Sequence, residues 1–112
     1  MELEFSEDQQ ELRATVRAFL ERECPMTLVR SVVEKGASAD ELWTQMVELG
    51  WPALTIPEEH GGLGLGFVEL AVLAEELGRV IAPGPFVATV TQFVPAVRLA
   101  GTAEQQGRFL GA

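Results

Sequence analysis

Apolar side chains recur every three to four residues along most of this 112-residue chain, and strict alternation is scarce. That period is helical. In "FSEDQQELRATVRAFLERE" the apolar positions Leu12, Val16, Phe19 and Leu20 form one stripe. Glu7, Glu11, Arg13, Arg17 and Glu21 are expected to face water. Ser6 is placed to cap this helix, with Gln9 as its reciprocal partner and Phe5 as a hydrophobic staple. Pro25 ends the helix or bends it.

"SADELWTQMVELGW" repeats the start signal, with Ser38 as cap and Glu41 completing the box. Its apolar face is Leu42, Trp43, Met46, Val47 and Leu49. Gly50 suits the left-handed position past a helix end, and Pro52 prevents continuation. "ALTI" (53–56) is the one segment read as extended. A third helix, "FVELAVLAEELGRV", is apolar around most of its circumference, so it is expected to pack against something outside this chain. "PFVATVTQFVPAVRLAG" predicts a fourth, with Pro85 in its first turn, Pro95 kinking it and Gly101 stopping it. Thr102 and Gln105 form a capping box for a fifth, with no stop signal before Ala112. The expected fold is all-α, an orthogonal or up-down bundle of about five helices forming one domain over 1–112.

Composition narrows the function classes. Hydrophobic residues are 47% and charged residues 22%, which is the balance of a globular chain. The net charge of −9 disfavours nucleic acid and anionic membranes as partners. The longest uncharged run, Val80 to Val97, is interrupted by three prolines, a glycine, two threonines and a glutamine, so no membrane span is expected. Glu2, Glu4, Glu7 and Asp8 precede the first basic residue, Arg13, which is unlike a secretory signal. A cytoplasmic setting is the default reading.

Candidate chemistry is sparse. Cys24 is the single cysteine and lies between Glu23 and Pro25, a structural rather than a reactive setting. His60 is the single histidine, so neither a catalytic triad nor a histidine-based metal site can be built around a second one. Glu58/Glu59 and Glu75/Glu76 are neighbours in sequence, which point apart on a helix, and are read as solvated.

"TIPEEHGGLGLGF" places four glycines in six residues. A phosphate loop needs Lys and Ser or Thr after its glycines, and Phe67-Val68-Glu69 supplies neither. Gly62, Gly64 and Gly66 begin a dinucleotide-like spacing, but its third glycine would fall on Phe67. A shaped turn is the expected reading.

Taken together, "EDQQELRATVRAFL", "LWTQMVELGWPALTIPEEHGGLGLG", "AVLAEELGR" and "LAGTAEQQGRFL" resemble the N-terminal helical domain of acyl-CoA dehydrogenases, in order and spacing, over essentially the whole chain. The resemblance implies a longer subunit in which a β-domain and a C-terminal four-helix bundle follow. It implies FAD held by those domains and a neighbouring subunit, a glutamate base lying outside this chain, and acyl-CoA converted to 2-enoyl-CoA. Electrons would leave to an electron-transferring flavoprotein. No catalytic, cofactor-binding or metal residue carries over to this chain.

What carries over is part of an acyl-pocket wall: Phe86, Val87, Val90 and Thr91, with Phe67 to Leu77 as packing support. The "IAPGPFVATV" version of this region, with its two prolines, resembles members handling bulky, steroid-type acyl groups, some of which are mixed oligomers. A homo- or hetero-oligomer is implied. The competing reading is a non-catalytic helical interaction module derived from that domain, dimerising or binding a partner through its apolar third helix.

Overall fold

The computed structural model describes residues 3–111; Glu2 and Ala112, named above, lie outside the described residues. Six α-helices appear in chain order, with no strand among the described residues. They are α1 (Glu7–Glu23), α2 (Met26–Lys35), α3 (Asp40–Glu48), α4 (Phe67–Arg79), α5 (Val94–Ala100) and α6 (Ala103–Leu110). The all-α expectation holds, with one helix more than anticipated.

α1 begins as its sequence dictates. The Gln9 amide donates to the Ser6 hydroxyl at 3.2 Å, and the Ser6 amide donates to the Gln9 side chain at 2.9 Å. Phe5 lies under the Arg13 guanidinium, 5.1 Å from its ring centre. The helix ends at Glu23, and Pro25 then serves as N-cap of α2. α2 was not anticipated from the sequence. Its cap makes no side-chain hydrogen bond, and only Val29 on it is fully buried.

Two further expectations are corrected. Ser38 does not cap α3: the cap is Ala39, and the Ser38 hydroxyl accepts from the Asp40 amide at 3.1 Å, leaving no reciprocal bond from Glu41. "ALTI" is not extended. Gly50 turns the chain at φ 79°, and a 3₁₀ turn follows over Trp51–Ala53, with Pro52 holding a helical φ.

α1 packs along α4, and the space between them and α3 holds the main core. Val16, Leu20, Met46, Leu54, Leu73 and Val90 are its fully buried centre. The Phe19 and Trp51 rings meet edge to face at 5.0 Å. A second, smaller cluster of Ile56, Val94 and Leu110 joins α5 and α6 to the turn after α3. Thr102 and Gln105 form the predicted capping box on α6.

The molecule is a slab, 42 × 36 × 19 Å. Its radius of gyration, 15.0 Å, exceeds the roughly 13 Å of a rounded domain this long. A slab about two helices thick leaves one side of several helices uncovered. Phe67 (70% exposed) and Val68 on α4, and Leu99 (88%) on α5, lie on such sides.

Candidate functional site

The segment ahead of α5 is a wide, π-helical turn over Ala88–Phe93. Pro95 lacks the amide that an α-helical ladder needs there, and the predicted kink takes this form. The Thr91 hydroxyl donates to the Val87 carbonyl at 2.6 Å, giving a carbonyl in the loosened turn a partner.

Between α4 and the segment just ahead of this turn lies an apolar cavity of about 280 Å³. Met46 of α3, Ala74, Leu77 and Gly78 of α4, and Phe86 and Val87 form its walls, and the loop from Ile81 to Gly84 forms its rim. None of these side chains is charged. Of the four sequence-predicted pocket residues, Phe86 and Val87 are brought together on this cavity. Val90 is buried in the main core instead, and Thr91 is exposed, its hydroxyl engaged with Val87. Ala74 and Leu77 fall in the Phe67 to Leu77 stretch expected as packing support, whereas Gly78 and the rim residue Ile81 were not anticipated.

The rim has an unusual backbone. α4 ends in a Schellman arrangement: the Ala82 amide donates to the Leu77 carbonyl at 3.0 Å and the Ile81 amide to the Gly78 carbonyl at 3.2 Å. The left-handed position of that motif normally takes glycine. Here it is Ile81, at φ 53°, the one non-glycine residue with positive φ among the described residues.

On the opposite side of α4, a carboxylate is buried. Glu76 is 1% exposed, contrary to the solvated face expected for it, while Glu75 remains exposed. Arg17 Nη2 and Arg13 Nη1 each reach Glu76 Oε1 at 2.8 Å, and Arg79 Nε lies 3.4 Å from Oε2. Arg13 and Arg17 were expected to face water. They stand four residues apart on α1, so both reach the same point on α4. Hydrogen bonding to Arg17, then Arg13, holds the Glu76 carboxyl at about 2 against an ordinary 4.5, despite its burial. This network joins the two helices and uses all of the carboxylate's acceptor capacity, so it serves packing rather than proton transfer.

The glycine loop is closed to anions by its own hydrogen bonds. The amides of Gly62, Leu63, Gly64 and Leu65 donate to the carbonyls of Pro57, Ala53, Ile56 and Leu54, and that of Gly66 donates to the Glu69 carboxylate at 3.2 Å. That carboxylate sits where a phosphate would have to bind, at the start of α4. Gly62 is required for fit, because a Cβ there would lie 2.1 Å from the Ile56 carbonyl oxygen. Cys24 is buried, which pushes its thiol pKa up. His60 is partly buried in a 3₁₀ turn, its Nε2 3.7 Å from Glu59 Oε1.

Comparison with known proteins places this geometry. A family model described as "Acyl-CoA dehydrogenase, N-terminal domain" matches residues 6–112. The chain belongs to this family.

Among curated acyl-CoA dehydrogenases, IpdE2 of Mycolicibacterium smegmatis is 40% identical over 86 residues, covering 75% of this chain and 28% of that protein. FadE26 of Mycobacterium tuberculosis is 30% identical over 116 residues, covering 98% of this chain and 29% of that protein. A chain in the crystal structure of the ChsE4-ChsE5 complex from Mycobacterium tuberculosis superposes with a TM-score of 0.77 at 29% identity, covering 97% of this chain and 28% of that one. This acyl-CoA dehydrogenase N-terminal domain therefore spans under a third of the length of these relatives. The family implies FAD in full-length members. The glycine loop does not fit its pyrophosphate, since the amides that would hold it are already engaged. No helix described here is long and apolar enough to cross a membrane.

Proposed function

We propose that this domain forms the front of an FAD-dependent acyl-CoA dehydrogenase and supplies one wall of its acyl pocket. The β-domain and C-terminal bundle of the implied subunit, the glutamate base and the flavin site then lie beyond these residues. The enzyme would remove hydrogens from the α and β carbons of an acyl-CoA thioester, giving the 2-enoyl-CoA, and an electron-transferring flavoprotein would take the electrons. What these residues do is bind and orient: an apolar wall excludes water from an acyl chain and fixes its position.

The observation that carries the reading is the uncharged cavity at Phe86 and Val87 in a chain of this family. The exposed apolar residues Phe67, Val68 and Leu99 fit packing against further domains or subunits. A bulky, steroid-type acyl group is the proposed substrate class, in keeping with the "IAPGPFVATV" segment, and a homo- or hetero-oligomer in a cytoplasmic setting is the proposed assembly. Phe86 and Val87 would touch the acyl group, with Val90 and Thr91 supporting them from behind.

A photoreactive acyl-CoA carrying a diazirine at the end of its acyl chain tests this. Labelling mapped by peptide mass spectrometry to Phe86, Val87 or their cavity neighbours is expected. Labelling confined to the Leu99 and Phe67 side would overturn the assignment.

A further inference from the structure

Two residues on the cavity run against local propensity in opposite directions. Gly78 lies in the last turn of α4, an exposed position where glycine is still a weaker helix former than alanine. Nothing in its surroundings demands glycine: its φ is not positive, and a Cβ added there would meet no atom within 4 Å. Three residues later, Ile81 occupies the left-handed position of the Schellman turn, where glycine is the unstrained choice and a β-branched residue is strained. The chain thus omits a side chain where the fold would favour one, and places a large one where the fold would favour none. Both residues line the same cavity. Local rules are broken together where a site, rather than the fold, sets the choice.

We propose that Gly78 and Ile81 set the width of the acyl group this cavity accepts, and that the group is branched or ring-bearing rather than straight. This rests on reading the cavity as acyl-pocket wall. Gly78 is exposed, and the breadth its missing side chain leaves adjoins Ala74 and Leu77 on the cavity. A straight chain does not need that breadth, whereas a ring or branch fills it. Ile81, held at φ 53° and 63% exposed, supplies apolar surface beside such a group. Gly107 of α6 provides an internal control, because a Cβ there also meets nothing within 4 Å but the residue lies off the cavity.

The test uses decanoyl-CoA and its ring-bearing counterpart of equal carbon count, ω-cyclohexylbutanoyl-CoA. Each is titrated into the full-length subunit that carries this domain. Isothermal titration calorimetry gives the affinity for each probe, a readout independent of turnover. The wild type is expected to prefer the cyclohexyl probe by about tenfold, the order set by a single misfitting carbon. Gly78→Ala and Ile81→Gly are each expected to remove most of that preference while raising Tm by about 4 °C. Gly107→Ala is expected to raise Tm without changing it.

A preference that survives in both cavity variants, with both probes still bound, would overturn the width assignment and leave the pocket reading standing. So would a wild-type preference for decanoyl-CoA. Failure of both probes to bind the wild type would overturn the pocket reading and this inference with it.

Discussion

The seam between α1 and α4 and the end formed by α5 and α6 solve the same packing problem with different means. The seam combines a continuous apolar core with a buried carboxylate held by three arginines. The α5–α6 end rests on three fully buried residues and an edge-to-face Phe93–Phe109 pair at 5.8 Å, with both rings over 40% exposed. Stability is therefore concentrated at the seam, and the α5–α6 end leaves more of its apolar surface uncovered. The candidate cavity lies against the stable half, between α4 and the segment from Ile81 to Val87, where a wall of fixed shape can be maintained.

Breaking the seam should cost most. Leu73→Ala, at a position with no exposure, is expected to destabilise the fold by about 4 kcal/mol in urea unfolding. Leu110→Ala, its counterpart in the small core, should cost about 2 kcal/mol, because the open end can collapse around the loss. Equal costs at the two positions would remove the contrast.

The carboxylate sharpens the comparison through pH. The Glu76 pKa is depressed in the folded state, from 4.5 to about 2, so its contribution is present above pH 4.5 and is lost as pH falls through about 2. Glu76→Gln should cost about 2 kcal/mol at neutral pH, a value below that of a fully buried pair because its arginines keep access to water. It should also flatten the acid-side slope over that window. A slope unchanged by the substitution would mean that other carboxylates carry it. Smallest is the cap on α6: Thr102→Ala is expected to cost about 1 kcal/mol and, measured by amide exchange, to loosen α6 alone.

Much of this was written locally in the sequence. The capping boxes at Ser6 and Thr102 need only residues three apart, and they formed as read. Gly50 and Pro25 act through their own dihedral limits, and they too behaved as expected. What the pattern could not convey came from contacts distant in sequence. α2 lacks a side-chain cap and buries little, and its local signals were only Pro25 before it and Gly36 at its left-handed C-cap. Glu76 looked solvated because its partners, Arg13 and Arg17, lie about sixty residues away and only the α1–α4 packing brings them over it. An arginine pair at four-residue spacing beside an apolar stripe was the available hint. Phe86 and Val87 were legible through the family pattern, whereas the place of Gly78 on the opposite wall depends on how α4 lies against the segment from Ile81 to Val87.

The most direct test of the account is the intact mass of the native polypeptide in its source cells, taken with an absorption spectrum of the purified protein. The account predicts a mass several times that of these 112 residues and a flavin absorption band. A mass matching this chain alone, with no flavin, would contradict it and make a helical interaction module the better description.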